Sequence, residues 1–344
     1  MSLGREDMAA RLATFLEAHV PAEHAEVRGL RRLAGGSSRE IWALEVELRG
    51  GPKAGHLDLV MRRDPPGRSE EGSRDLEFRV VQAAHAGGIP VPRPWWACTD
   101  EAVLGSAFYL MDRVGGEALP RRLLRDLRYE KTREVLTGQL AEILAGIHAI
   151  DPDLPSLQGL EDKTQGGSSA LTQLEETARG IREMAGEPHP ALDLAERWLR
   201  QRIPPDSRRT LVHGDYRVGN VLFDEHGVCA ILDWELCKIG DPVEDLGWLC
   251  TRAWRFGSAL PVGGVGSREE LLAAYAAASG TAVDPQHLRF WEALGSYKVA
   301  LVFIMQSWWA RSGKLDSLEL AALGRRTAEA EQELLRLMEE EEPP

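Results

Sequence analysis

The chain has 344 residues, too many for one typical hydrophobic core, so two lobes or domains are expected. Its 43% hydrophobic and 28% charged residues suit a globular enzyme, and a net charge of −13 argues against the basic face that nonspecific nucleic-acid binding needs. The surplus of acid would suit a cationic ligand, although the run Glu339 to Glu342 supplies part of it from a tail expected to be solvated.

The N-terminus lacks a basic-then-apolar signal layout, so a cytoplasmic location is expected. Spacing of Met8, Leu12, Phe15, Leu16 and Val20 predicts a helix stopped by Pro21. After the glycine turn at Gly35-Gly36-Ser37-Ser38, the alternating stretch Ile41 to Leu48 predicts a strand. Gly50-Gly51-Pro52 breaks the chain, and His56 to Arg63 reads as a second strand, giving an antiparallel hairpin or meander. A helix is expected over 73–86, closed by Gly87-Gly88. The prolines of Ile89 to Pro94 hold that segment extended, and two strands follow, around Trp95 to Cys98 and Ala107 to Val114.

Beyond Gly115-Gly116 helical periodicity dominates. Leu136, Leu140, Ile143, Leu144 and Ile147 form one stripe, and further helices are expected across 170–203, 267–279, 285–311 and 316–340. The longest apolar run, Val299 to Met305, is short for a membrane span and reads as a buried helix. Thr210 to Trp234 stands apart as a compact strand-turn-strand unit. The expectation is an α+β chain with a β-rich lobe at 1–114 and a mostly α-helical lobe at 115–344, and a ligand cleft between them. The four cysteines, Cys98, Cys229, Cys237 and Cys250, form no C-x-x-C pair and read as buried thiols.

The chemistry concentrates in Leu211 to Glu235. Asp224-Glu-His-Gly227 is a turn between apolar runs, hence a hairpin. With a four-residue connection pairing Asp224 with Cys229, Asn220 falls opposite Asp233, beside the loop that carries Asp215. Magnesium takes hard oxygen ligands, one or two from protein and the rest from phosphate and water. Asn220 and Asp233 can supply that share, leaving Asp215 to accept a proton and Arg217 to reach a phosphoryl group.

His213-Gly-Asp215-(x)4-Asn220, Ile231-Leu-Asp233-Trp-Glu235 and Gly240-Asp-Pro-Val-Glu-Asp245-Leu resemble the aminoglycoside phosphotransferase and choline kinase group of protein-kinase-like enzymes. That resemblance implies a bilobal fold, with a small antiparallel sheet and one main helix in the N-lobe. It also implies ATP or GTP with Mg²⁺, Asp215 as catalytic base, and Asn220 and Asp233 as metal ligands. His213, His148 and Asp245 match scaffolding positions. Gly35, Gly36 and Ser37 match the turn over the phosphates. Arg62 stands where the family usually has a phosphate-contacting lysine, and Glu77 matches its acidic partner. Phe108 to Val114, with Met111 and Asp112, is similar to the hinge strand beside the adenine. The Arg62 to Gly67 stretch and Asp233-Trp-Glu235 are similar to the kinase-like regions fused to some acyl-CoA dehydrogenases, for which hydroxylated acyl substrates are implied.

A small hydroxylated acceptor is therefore expected, aminoglycoside-like, amino-alcohol or hydroxyacyl, with Glu235 as a candidate acceptor-binding acid. No nucleic acid, membrane or obligate protein partner is expected. Only seven residues separate Asp233 from Asp241, too few for the activation segment of a protein kinase. The alternatives are a nucleotide-binding pseudokinase acting as sensor or scaffold, which Arg62 would permit, and a metallohydrolase using His213 and Asp215.

Overall fold

The computed structural model describes residues 3–33, 40–65, 73–205, 208–314 and 317–340. The chain divides into two compact units, one of 1–116, 153–159 and 229–235, the other of 117–152, 160–228 and 236–344.

The first unit is built on five antiparallel strands: β1 (His24–Arg32), β2 (Glu40–Arg49), β3 (Gly55–Arg63), β4 (Pro94–Cys98) and β5 (Phe108–Asp112), in the order β1-β2-β3-β5-β4. Successive strand residues point to opposite faces, so each strand serves two layers. Trp42, Leu44, Val46, Leu48, Leu59, Met61, Phe108 and Leu110 line one face and pack with Met8, Leu12, Phe15 and Leu16 of helix α1 (Arg5–His19). On the other face Val60, Tyr109 and Met111 cluster with Phe78 of α2 (Ser73–Ala86). Arg62 follows Val60 by two residues and so shares the α2 face. Arg63 points the opposite way, where it donates to Ser106 Oγ (2.9 Å) and the Leu104 carbonyl (2.7 Å).

Strand β1 is an addition to the sequence reading. It is an edge strand whose residues are mostly exposed or half-buried, so it carries no clear apolar alternation. The short helix α3 (Glu101–Leu104), capped by the Asp100 side chain on Ala102 N–H, also lacks a periodic signal at four residues.

The second unit is mostly helical. It contains α4 (Pro120–Arg125), α5 (Glu130–His148), α6 (Ser169–Met184), α7 (Pro190–Arg200) and a small pairing of β6 (Thr210–Val212) with a later strand. Strands β7 (Val221–Phe223) and β8 (Val228–Ile231) follow, β8 running across the division of the chain. After them come β9 (Lys238–Gly240), the partner of β6, and then α8 (Val243–Cys250), α9 (Arg268–Ser279), α10 (Pro285–Arg311), α11 (Leu318–Leu323) and α12 (Thr327–Glu339). The α5 stripe is buried at Leu136, Leu140, Leu144 and Ile147. Helix α9 opens on a capping box, Ser267 and Glu270, and the 27-residue α10 opens on the Asp284 cap with Pro285 at its first position. Among the described residues no helix is long and apolar enough to cross a membrane.

Three expectations are corrected. The helix over 170–203 is two helices, because 185–189 contains Gly186 and Pro188 before Pro190 opens α7. The segment 316–340 is likewise broken, by a 3-10 turn at Gly324–Arg326. The hairpin turn is tighter than a four-residue connection: Asp224 N–H donates to the Gly227 carbonyl at 2.9 Å, leaving Glu225 and His226 as the loop, with Gly227 at φ 134°. That removes the register that would set Asn220 directly opposite Asp233. Of the cysteines, Cys98 and Cys250 are buried, whereas Cys229 and Cys237 are only half-buried.

Candidate active site

Within the second unit, β6 delivers the chain into Val212-His213-Gly214-Asp215. Gly214 has φ 80°, and a Cβ there would stand 2.3 Å from the Leu236 carbonyl oxygen, so both conformation and space demand glycine. The loop is held from below by Asp245 on α8, which is fully buried. Its Oδ2 accepts the His213 N–H (2.8 Å) and its Oδ1 the Gly214 N–H (2.9 Å). His148 Nε2 lies 3.1 Å from the same Oδ2, and its Nδ1 lies 2.9 Å from the Tyr275 hydroxyl. Asp215 N–H donates to His213 Nδ1 (3.2 Å), and Tyr216 OH donates to the Leu140 carbonyl on α5 (3.0 Å). His213, His148 and Asp245 thus form the frame of the loop.

Above that frame the Asp215 carboxylate collects three side-chain donors. Asn220 Nδ2 reaches Oδ2 at 2.6 Å and the Asp215 carbonyl at 2.9 Å. Arg217 Nε lies 3.0 and 3.1 Å from the two carboxylate oxygens, and its guanidinium sits 4.7 Å over the Trp254 ring. Trp248 Nε1 donates to Oδ1 at 2.8 Å. Asp215, Arg217 and Asn220 are therefore brought together. Trp248 is a member that the motif reading missed. The signal was present, because Trp248 follows Asp245 by three residues and so lies on the same side of α8.

The first unit holds the other constellation. Arg62 is 7% exposed. Its Nε lies 3.3 Å from Glu77 Oε1, its Nη2 donates to Asp233 Oδ1 at 2.9 Å, and Glu235 Oε2 is 3.9 Å away. Tyr109, directly opposite Arg62 in the β3–β5 ladder, donates its hydroxyl to Glu77 Oε1 (2.8 Å). Arg74 bonds Glu77 Oε2 and pairs with Asp64 Oδ1 at 3.0 Å. Burial opposes the charge on Arg62, but Tyr109, Glu77 and Asp233 outweigh it and raise its pKa. Burial pushes the Tyr109 hydroxyl well up, and Glu77 adds to that. Asp233 has φ 67°, a left-handed conformation uncommon for a residue with a side chain. Arg62, Glu77, Asp233 and Glu235 are thus one ionic cluster, to which the sequence reading had not assigned Tyr109, Arg74 or Asp64.

On β5, Met111 faces the α2 side with Val60 and Phe78, and Asp112 accepts the Trp95 Nε1–H. Gly35, Gly36 and Ser37 lie outside the described residues. Trp234 and Trp291 are buried, whereas Trp254 stacks on Arg217. Among the described residues there is no group of three or more metal-ligating side chains, so the His213–Asp215 pair gains no further ligand.

Comparison with known proteins follows the same motifs. The model of the phosphotransferase enzyme family matches residues 29–291. Human acyl-CoA dehydrogenase family member 11 is 31% identical over 289 residues, covering 77% of this chain and 36% of its own length. The chain therefore spans just over a third of such relatives. The 4-hydroxytryptamine kinase of Psilocybe cyanescens is 24% identical over 319 residues, 81% of this chain and 84% of the kinase. A candidate aminoglycoside phosphotransferase from Ralstonia eutropha superposes with a TM-score of 0.76 at 23% identity, over 97% of this chain and 99% of that one. Aminoglycoside 2'-phosphotransferase-IIIa in its GDP complex superposes with a TM-score of 0.62 at 14% identity, over 94% and 99%. These matches bear out the family resemblance and the α+β, kinase-like fold.

Proposed function

The chain belongs to the phosphotransferase enzyme family, and on that premise we propose that it moves the γ-phosphate of ATP or GTP onto a hydroxyl of a small molecule in the cytoplasm. In this reading residues 1–114 bind the nucleotide, and 115–344 carry the base and the acceptor. The observation that carries the proposal is the Asp215 carboxylate, presented on a loop locked by Asp245 and gripped by Asn220, Arg217 and Trp248. An ionised carboxylate has about four lone-pair directions. Three donors orient it and leave one for the acceptor hydroxyl.

Asp215 then takes the hydroxyl proton as the acceptor oxygen bonds the γ-phosphorus. The bond from that phosphorus to the bridging oxygen breaks, and the nucleoside diphosphate leaves with the electron pair. Such a base is worth about 10²- to 10⁴-fold in rate. Arg217 keeps its Nε on Asp215 and would turn its remaining guanidinium N–H groups to the phosphoryl oxygens, its planar fork suited to them. Asn220 and Asp233 are the proposed Mg²⁺ ligands. The donor set fits: Asn220 spends its amide nitrogen on Asp215, which leaves the amide oxygen, and Asp233 offers a carboxylate that already accepts a cation in Arg62. The metal, when bound, neutralises phosphate charge. Arg62 with Glu77 is the proposed contact to the phosphates, Gly35, Gly36 and Ser37 the turn over them, Met111 and Asp112 the adenine side, and Glu235 an acceptor contact.

The GDP complex of the 2'-phosphotransferase and the kinase activity in the name of the Psilocybe relative support a nucleotide co-substrate and a small acceptor. The test is a screen for ADP or GDP release with Mg²⁺ across aminoglycosides, macrolides, amino alcohols, sugars and hydroxyacyl thioesters. Turnover with at least one acceptor is expected, and Asp215→Asn should keep nucleotide-induced thermal stabilisation while losing turnover. Full turnover in Asp215→Asn would sink the base assignment. A pseudokinase is the second reading, favoured by the ion pair between Arg62 and Asp233. It predicts nucleotide binding with no acceptor consumed.

A further inference from the structure

Arg217 bonds the Asp215 carboxylate through Nε, 3.0 and 3.1 Å from its two oxygens. A guanidinium carries five N–H donors, so those on the two Nη atoms remain. Where they point depends on what holds the guanidinium plane, because a long side chain on a loop otherwise samples many rotamers. The Arg217 side chain is 24% exposed, so solvent does not fix it. Two residues of the second unit do.

Over the face of the guanidinium stands Trp254, in the 3-10 turn Arg252–Trp254 that follows α8. Arg217 Cζ sits 4.7 Å from the ring centroid, inside the range of cation–π attraction. The Trp254 ring packs in turn on Trp248, with centroids 5.2 Å apart, and Trp248 donates to Asp215 Oδ1 at 2.8 Å. The contacts close a circuit, from Asp215 to Arg217, to Trp254, to Trp248 and back to Asp215. Trp254 Nε1 is buried and meets no acceptor among the described residues, so what this indole offers is its face.

At the edge of the guanidinium lies Gly219, in the 3-10 turn Val218–Asn220. A Cβ there would stand 2.2 Å from Arg217 Nη1 and 3.3 Å from Cζ. Beyond its chain neighbours the next atom is Pro120 Cγ, at 4.0 Å. Unlike Gly214, Gly219 has no positive φ and no opposing carbonyl. What its missing side chain makes room for is the Arg217 guanidinium. Packing alone accounts for a tryptophan or for a turn glycine. It does not account for both meeting the guanidinium that bonds the proposed base.

We infer that Trp254 and Gly219 form a slot that fixes the Arg217 plane, and that both are positioning residues for phosphoryl transfer, acting through Arg217. The inference rests on the phosphotransferase reading proposed above. The slot is built for arginine, because a lysine ammonium has no plane to stack and no Nε to hold Asp215. With Nε on the carboxylate and the plane fixed, the Nη donors keep one direction relative to the base. Base and phosphoryl contact are then oriented as one unit, which is where catalysis by positioning gains its rate.

Side-chain NMR on the full chain reads the slot without any ligand. The Arg217 Nε–H signal, identified by its loss in Arg217→Lys, should be shifted by the Trp254 ring and slow to exchange. Gly219→Ala and Trp254→Leu should each move it to where exposed arginines resonate, and Trp254→Phe, which keeps a ring face, should hold it. A signal unchanged in both Gly219→Ala and Trp254→Leu overturns the slot. Turnover tests the role, with Mg·ATP and the best acceptor from the screen above. Gly219→Ala should lower kcat by roughly 5- to 30-fold, the worth of a partly desolvated cation–π contact. KM for ATP and the urea midpoint should stay near wild type. In an Arg217→Met background, Gly219→Ala and Trp254→Leu should cost nothing further. Equal losses in that background mean that the two residues act by packing, and overturn the positioning role. If no acceptor is phosphorylated, the kinase reading fails and the NMR signal alone decides the slot.

Discussion

Replacing Asp245 by asparagine tests whether the loop that bears the proposed base is held in place by one buried carboxylate. In the native chain that carboxylate takes three donors: the His213 N–H at 2.8 Å, the Gly214 N–H at 2.9 Å and His148 Nε2 at 3.1 Å. Asparagine keeps the shape but only one acceptor oxygen, and it turns an NH₂ toward a group that already donates. Losing a charged acceptor costs about 1.5–3 kcal/mol, and a stranded buried donor costs about 1–3 kcal/mol more. Together these give an expected loss of about 3–5 kcal/mol in folding stability.

The catalytic effect should be separable from the loss of stability. The two backbone donors belong to the two residues before Asp215, and a displacement of about 1 Å near reacting atoms costs on the order of 10²-fold in rate. Urea unfolding measures the first quantity, and ADP release at saturating nucleotide and acceptor measures the second, below the onset of unfolding. Tyr275→Phe removes only the outer hydroxyl, 2.9 Å from His148 Nδ1, and should cost about 1 kcal/mol with turnover little changed. Wild-type stability and wild-type kcat in Asp245→Asn would refute the reasoning.

Gly214→Ala meets both a φ of 80° and a carbonyl oxygen 2.3 Å from the new Cβ, so it should lose about 2–4 kcal/mol and most turnover, read by urea unfolding and ADP release. Burial alone would raise the pKa of Glu244, but Lys238 and Lys298 outweigh it and pull it down from 4.5 to about 2. A depressed carboxylate stabilises the fold fully above its unfolded value and loses that contribution as pH falls from about 4.5 through about 2, a swing on the order of 3 kcal/mol. Glu244→Gln should flatten the part of the stability profile that falls below about pH 4.5, and an unchanged slope there would count against the pairing. Arg62→Ala leaves Glu77 and Asp233 without their shared cation and should cost about 3–5 kcal/mol. Arg62→Lys should cost less, and the comparison of ATP-induced thermal shifts in the two variants reads the proposed phosphate contact.

Much of the fold was legible because its signals are local. The helices over 73–86 and 285–311 carry their apolar spacing and their breaks within their own windows, and the structure returns the same bounds. The edge strand β1 escaped because half-solvated residues need no alternation. The three-residue strand β9 escaped because pairing, not composition, defines it. Asp215, Arg217 and Asn220 were readable as a group because they lie within six residues, and the structure gathers them on one carboxylate. Trp248 was readable only indirectly, as the residue three beyond Asp245 on α8, since its bond to Asp215 spans 33 positions and depends on how α8 packs under the loop.

The amino-acid sequence by itself determined the elements, the glycine turns and the family, because backbone sterics and side-chain periodicity act over a few residues. Only the tertiary structure decided which charges meet. Arg62 bonds Asp233 across 171 positions, and Lys238 and Lys298 share Glu244 from a strand and a helix 60 residues apart. In water such pairs are worth little. Inside the fold burial makes each partner's identity and position decide the electrostatics, and burial is a property of the packed chain rather than of any short stretch of it.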